Sequence, residues 1–177
     1  MEDAPQQANG LPTGHDAAPT PEQEFARLGL ADVRPPTPIG NFRYGVRAGD
    51  LFYVSGTYGT VKNEKGEDVF PISGKLGREL TVGDGYRSAR LVAVNLLAMA
   101  RAELGSLDHV DQVVRLAGYV NCVPGFAEAP AVVNGASDLL IEVFGQDRGS
   151  HARISLYQND LPREAPVACE LTLYLRD

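Results

Sequence analysis

Two segments near the C-terminus alternate apolar and polar residues, the pattern typical of half-buried strands. They cover residues 151–156 and 167–175, with a turn at 159–162 between them. The first segment sets Ala152, Ile154 and Leu156 against His151, Arg153 and Ser155. Successive side chains of a strand point to opposite faces of a sheet. If the apolar faces of both strands pack on one layer, Arg153 and Glu170 lie together on the opposite side of the sheet.

A longer segment repeats apolar residues at helical spacing. It predicts a helix that begins after an N-cap at Thr81, runs to Leu104 and stops at Gly105. The apolar face of this helix comprises Ala89, Val92, Ala93, Leu96, Ala100 and Leu104. Asn95 falls inside the helix, and we expect it to bind a neighbouring backbone group rather than a ligand.

A second helical pattern starts at about Ala127 or Pro130 and ends at Phe144, with Gly145 as its stop. A polar loop is expected over residues 146–149. Between the two helices, residues 110–121 have the pattern of a strand.

The chain begins with a segment that has hardly any large apolar side chains. Residues 1–20 are rich in Pro, Ala, Gln and Asp and predict a disordered tail. From Pro21 a short helix is expected, with Gly29 as its stop. Residues 21–177 are then interpreted as a single domain.

Residues 42–46 and 51–57 predict a hairpin, and a further turn is expected at 63–66. In the second hairpin strand, Phe52 and Val54 share one face, while Tyr53, Ser55 and Thr57 share the other. Gly56 and Gly59 bracket the end of this strand. A missing Cβ there lets a ligand or a second backbone come close, although ordinary turn chemistry explains both glycines equally well.

The predicted order of elements is β-hairpin, β, α, β, α, β, β. It indicates an α+β fold with a single mixed sheet and two helices packed on one face. The other face carries Tyr53, Tyr119 and Tyr174, more aromatic surface than water is expected to cover. We therefore expect a homo-oligomer.

Charge and composition exclude several classes of function. A net charge of −7 and the lack of a basic patch argue against nucleic acid as the main partner. No secretory leader and no apolar run long enough to span a membrane is recognisable, so a cytoplasmic location is expected. Cys122 and Cys169 form no CxxC pair and the three histidines are scattered. The sequence thus predicts no metal and no cofactor.

A guanidinium beside a carboxylate, as predicted for Arg153 and Glu170, can bind an acidic small molecule and direct a water at it. A cross-strand ion pair on a solvated face is the structural alternative. Ser155 is a poor candidate nucleophile, because no histidine and acid stand at a recognisable spacing from it.

The spaced motifs of residues 36–176 resemble the Rid (YjgF-type) reactive intermediate deaminases. The matching residues are Pro38-Ile39-Gly40, Gly49-Asp50-Leu51-Phe52-Tyr53-Val54-Ser55-Gly56, Gly74-Lys75-Leu76-Gly77, Asn95-Leu96-Leu97-Ala98, Leu107-Asp108-His109-Val110, Val133-Asn134, Ala152-Arg153, Leu161-Pro162 and Glu170. The resemblance implies a chorismate-mutase-like fold of the bacterial trimeric type. It also implies a homotrimer with its sites between subunits.

The resemblance further implies roles for individual residues. Arg153 would bind the carboxylate of an imine or enamine, and Glu170 would position the attacking water. The backbone at Gly56 would approach the ligand, and Ser155, a cysteine in many relatives, would line the pocket. The remaining candidates for substrate binding are Phe42 and Tyr119.

Two departures from the family pattern affect the expected substrate. Phe42 stands where many active deaminases have tyrosine, and Thr57 stands where many have glutamine. Both changes disfavour the usual small substrates, and a pocket lined by phenylalanine would fit a larger or more apolar imine better. The leading interpretation is hydrolytic deamination, as in 2-iminobutanoate/2-iminopropanoate deaminases. The alternative is a non-catalytic trimeric protein that binds a small acid, and the acidic charge disfavours a ribonuclease or translation inhibitor.

Overall fold

The computed structural model of the protein describes residues 18–176. Its helices are α1 (Pro21–Arg27), α2 (Val82–Leu104) and α3 (Ala129–Gly149), with short 3-10 turns at Leu107–His109 and Pro162–Glu164. Its strands are β1 (Gly45–Ala48), β2 (Leu51–Tyr58), β3 (Val61–Lys62), β4 (Asp68–Val69), β5 (Val110–Asn121), β6 (Ala152–Gln158) and β7 (Val167–Leu175). Of the predicted tail, 1–17 lie outside the described residues, and Thr20 already forms a capping box on α1.

One five-stranded mixed sheet has the strand order β1-β2-β7-β5-β6, and β3 and β4 form a separate two-stranded hairpin. All pairs in the large sheet are antiparallel except β5 and β6. These two are parallel because α3 crosses over between them, as parallel neighbours require. The crossover places β6 at one edge of the sheet.

Both long helices pack on one face of the sheet, as predicted. Thr81 caps α2 through a capping box with Asp84, and Gly105 ends the helix in the left-handed conformation. In α3, Gly145 has φ 79° and ψ 167° and interrupts the helix where a stop was expected. Residues 146–149 then form another helical turn instead of the predicted polar loop, so that prediction was wrong.

The helix-facing side of the sheet holds the core, and the other side is open. Buried side chains on the helix side include Phe52, Val54, Leu116, Cys169, Leu171 and Leu173. The open face carries Val46, Tyr53 and Tyr174, each more than 40% exposed. The predicted one-sided packing is therefore confirmed. Within residues 18–176 no helix is both long and apolar enough to cross a membrane.

The apolar face predicted for β6 was assigned to the wrong side of the sheet. Ile154 and Leu156 are 39% and 38% exposed and belong to the open face. Arg153 pairs with Leu116, and Ser155 pairs with Gly118. A Cβ on Gly118 would lie 2.7 Å from the Val133 side chain of α3, so these paired positions face the helices. Arg153 consequently points to the helix side.

Thr57 also lies on the face opposite to its prediction. In the pairing of β2 with β7, Val54 is opposite Leu171 and Thr57 is opposite Cys169, so β2 holds one extra residue. Such a β-bulge shifts the alternation of the strand by one residue. Thr57 is therefore buried on the helix side.

Asn95 holds the end of β2 against α2, as expected from the sequence. Its side-chain nitrogen donates to the carbonyl oxygens of Tyr58 at 2.7 Å and Thr60 at 3.0 Å. The adjacent Gly59 packs directly against the backbone of α2. A Cβ at this position would lie 2.6 Å from the Ser88 carbonyl oxygen, so glycine is required.

Removing the Asn95 amide is expected to destabilise the fold. Asn95→Ala leaves two carbonyls without their buried donor, which costs about 2 kcal/mol of unfolding free energy. The control is Asn41→Ala, because Asn41 is exposed in a loop. Chemical denaturation of both variants measures the difference, and equal midpoints would contradict the role of Asn95.

Candidate active site

Arg153 lies on edge strand β6 and is held by three oxygen atoms of α3. Its Nη1 donates to Asn134 Oδ1 at 2.7 Å and to Ser137 Oγ at 3.0 Å. Its Nη2 donates to the Pro130 carbonyl at 3.4 Å. Within residues 18–176 Arg153 forms no salt bridge. The Nε hydrogen and one Nη2 hydrogen of the guanidinium therefore remain available to an anion.

Ser137 is in turn bound to His151, the residue that precedes β6. His151 Nε2 lies 3.0 Å from Ser137 Oγ, and its Nδ1 lies 2.6 Å from the Gly149 carbonyl oxygen. Burial lowers the pKa of His151. The bond to Gly149 opposes this shift and the charge of Arg153 adds to it. The imidazole is therefore neutral at pH 7.

Ser155 lies on the same face of β6 as Arg153 and is half-buried. The nearby histidine does not activate it, because His151 bonds Ser137 instead. The arrangement disfavours a nucleophilic role for Ser155.

Glu170 lies on the open face of the sheet with Tyr119 and Arg115. The Tyr119 hydroxyl donates to Glu170 Oε1 at 3.2 Å, and Arg115 Nη1 lies 3.8 Å from the same oxygen. Burial raises the pKa of Tyr119, and the charge and hydrogen bond of Glu170 raise it further. About half of the Arg115 and Glu170 side-chain surface is exposed, so the carboxylate remains accessible.

The predicted proximity of Arg153 and Glu170 does not occur within one chain. Ala117 of β5 is paired with Ile154 on one side and with Glu170 on the other, which places all three on the open face. Arg153 is the neighbour of Ile154 and emerges on the helix side. The carboxylate is paired with Arg115. Arg115 was not singled out from the sequence, although alternation along β5 places Arg115, Ala117 and Tyr119 on one face.

Gly56 and Phe42 line a third region, a cavity of about 170 Å3 at the end of β2. Its walls are largely apolar and include Tyr58, Phe70 and Met99. Gly56 belongs to the bulge opposite Glu170. A Cβ there would be 3.8 Å from the nearest atom, the Cys169 carbonyl oxygen, so packing within the chain does not require glycine at this position.

The six predicted residues thus fall into three separate groups in the chain. They are Arg153 with Ser155, Glu170 with Tyr119, and Phe42 with Gly56. Sequence reasoning missed Ser137 and His151, which lie 14 positions apart and meet only in the fold. No cluster of three potential metal ligands occurs within residues 18–176.

A family model described as "YjgF/chorismate mutase-like, putative endoribonuclease" matches residues 26–174. The chain belongs to the YjgF/chorismate mutase-like family. Protein TCP17 of Trypanosoma cruzi is 37% identical over 151 residues, which cover 85% of this chain and 91% of that protein. Membership confirms the resemblance identified from the spaced motifs.

Solved structures confirm the predicted YjgF-type fold. Protein Atu1372 of Agrobacterium tumefaciens, of unknown function, is 33% identical, with a TM-score of 0.75 and coverage of 89% of this chain and 94% of that one. A Shewanella oneidensis protein described as a "putative endoribonuclease" is 29% identical, with a TM-score of 0.79 and coverage of 89% of this chain and 100% of that one. E. coli TdcF, solved with bound serine, shares the fold at 18% identity, with a TM-score of 0.54 and coverage of 81% and 94%.

Proposed function

We propose that the protein hydrolyses a carboxylate-bearing imine or enamine to a carbonyl compound and ammonia. The observation that carries this proposal is the state of Arg153. Its guanidinium donates three hydrogen bonds to α3 through Nη1 and Nη2. The hydrogen on Nε and one on Nη2 are not used, and no acidic side chain within residues 18–176 pairs with the group. A carboxylate accepts two parallel charge-assisted bonds from such a group.

Glu170 is the proposed acceptor of a proton from water. Its half-exposed carboxylate can bind a water molecule, and the Tyr119 hydroxyl orients one of its oxygens. The water oxygen adds to the C=N carbon, and its protons pass to the nitrogen. Collapse of the resulting aminoalcohol breaks the C–N bond and releases ammonia, so that imine and water become carbonyl compound and ammonia.

A site with both charged residues requires more than one subunit. Arg153 and Glu170 emerge on opposite faces of the same sheet, so one small substrate cannot reach both within a single chain. The apolar open face favours burial against other copies, because monomeric proteins rarely leave such surface in water. We therefore propose that the site lies between subunits of a homotrimer, the assembly that the resemblance to the Rid proteins implies. A measured molecular mass of one chain in solution would contradict this assembly.

Three observations favour the non-catalytic alternative, a trimer that binds a small acid. Phe42 offers no hydroxyl to a substrate or water, and Glu170 already has Arg115 at 3.8 Å. TdcF, a protein of the same fold, was solved with bound serine. Release of ammonia separates the two functions, because a binding protein releases none.

We expect the wild-type protein to accelerate the decay of imines generated in situ by an amino acid oxidase. The apolar cavity at Phe42 favours bulky apolar side chains over small ones by about tenfold or more in kcat/KM, since each buried methylene contributes about 0.8 kcal/mol. Trapping of the residual imine and an ammonia assay measure the rate across the panel.

The matched variant for this panel is Phe42→Tyr, which adds a hydroxyl at nearly constant size. It is expected to reduce the preference for bulky side chains and to raise kcat/KM for the smallest substrates. Decay at the buffer rate on every substrate would contradict deamination and favour the binding protein. Deamination without any preference for size would contradict only the role of the cavity.

A further inference from the structure

The position of Arg153 depends on a chain of hydrogen bonds that starts at a backbone carbonyl. The Gly149 carbonyl can only accept, so Nδ1 of His151 carries the hydrogen between them. In a neutral imidazole Nε2 is then an acceptor, and the Ser137 hydroxyl must donate to it. Ser137 Oγ, having used its hydrogen, accepts from Arg153 Nη1.

Because these groups are buried, it matters which of them donates and which accepts in each hydrogen bond. The Ser137 side chain is 8% exposed, so water cannot readily replace a lost partner. The hydrogen bonds also strengthen one another, because the Ser137 hydroxyl becomes a better acceptor for Arg153 when it donates to the His151 imidazole. Asn134 fixes the same Nη1 from the neighbouring turn of α3. The guanidinium therefore has a defined orientation before any ligand arrives.

We infer that Ser137 and His151 are positioning residues for Arg153, which orient its two uncommitted hydrogens for a ligand carboxylate. The inference rests on the proposed function, because it assumes that Arg153 binds a carboxylate. Neither residue contacts the substrate in this role. Both act by fixing the guanidinium, and a carboxylate in the correct geometry gains two aligned bonds instead of one.

The pKa of His151 also responds to what is bound at Arg153. The groups that face His151 are the Ser137 hydroxyl and Gly149 carbonyl of α3 and the Arg153 guanidinium of β6. A carboxylate bound to Arg153 offsets its positive charge, which removes one of the causes that lower the pKa of His151, so we expect that pKa to rise.

The test compares Ser137→Ala with Ser137→Thr and Ser88→Ala. Ser137→Ala is expected to raise KM for the best imine of the panel about tenfold with little change in kcat, as for other residues that orient a ligand-binding group. Ser137→Thr keeps the hydroxyl and is expected to restore KM. Ser88 is a buried helical serine whose hydroxyl has no hydrogen-bond partner among residues 18–176, so Ser88→Ala controls for loss of a buried hydroxyl.

Nitrogen NMR of His151, assigned with His151→Gln, supplies a readout that a structural role alone would not move. We expect the Nδ1–H tautomer in the wild type and a rise in the His151 pKa when pyruvate, a keto acid of the product class, is added. Arg153→Ala should abolish the pyruvate effect, and Ser137→Ala should reduce it.

The possible outcomes separate the inference from the function on which it rests. Wild-type hydrolysis together with an unchanged KM in Ser137→Ala would overturn the positioning role and leave the proposed function standing. An Nε2–H tautomer in the wild type would also overturn it. Absence of both hydrolysis and a pyruvate effect in the wild type would overturn the proposed function, and the inference with it.

Discussion

Arg153→Ala is expected to lower kcat/KM for carboxylate-bearing imines by about 10²–10⁴-fold. The variant removes both hydrogen bonds that the free part of the guanidinium offers to the carboxylate. Hydrogen bonds to charged groups contribute about 1.5–3 kcal/mol each, and 1.4 kcal/mol is a factor of ten. The measurement is the initial rate of imine decay over a range of substrate concentrations.

Arg153→Lys is expected to retain part of this activity. A lysine keeps the positive charge but cannot form two parallel bonds, and it also loses the fixed contacts to Asn134 and Ser137. The control is Arg27→Ala, since Arg27 is largely exposed on α1 and forms an ion pair with its helical neighbour Glu24. Wild-type rates in Arg153→Ala would contradict carboxylate binding by Arg153. A loss of rate in Arg27→Ala would indicate a general effect of charge.

Gly135→Ala is expected to lower the free energy of unfolding by about 3 kcal/mol, in the range of overpacked cores. Gly135 lies where α3 crosses α2, and a Cβ there would be 2.0 Å from the Tyr86 carbonyl oxygen. The obstacle is backbone, so a side-chain rotation cannot relieve it and the helices must move apart. The displacement would also disturb Asn134, which bonds Arg153.

The matched control is Gly83→Ala in α2, where the nearest atom to a new Cβ is 3.7 Å away. Alanine is a better helix former than glycine, so this variant should be neutral or more stable by up to about 1 kcal/mol. Thermal unfolding at one protein concentration compares the two. A fall of about 6–12 °C is expected for Gly135→Ala, at about 2–4 °C per kcal/mol for a domain of this size. Equal melting temperatures in the two variants would contradict close helix packing at Gly135.

Local patterns in the sequence determined the elements and the layer architecture. Helix α2 carries its capping residue at Thr81, its stop at Gly105 and a periodic apolar face between them, and all three signals act within a few residues. The open face was predictable for the same reason, because alternation in β2 groups Tyr53 apart from Phe52. The spaced motifs also identified the family.

The tertiary structure decided which side of the sheet each functional residue occupies. Alternation predicts that Arg153 and Ser155 share a face of β6. Whether that face points to the helices or to the open side follows from the parallel pairing of β6 with β5. The bulge in β2 reversed Thr57 by a single extra residue, which no local pattern revealed. Ser137 and His151 meet because the end of α3 turns back into β6. Local propensity determines where a segment is helical or extended, whereas register and crossover, set by long-range pairing, determine which side chains meet.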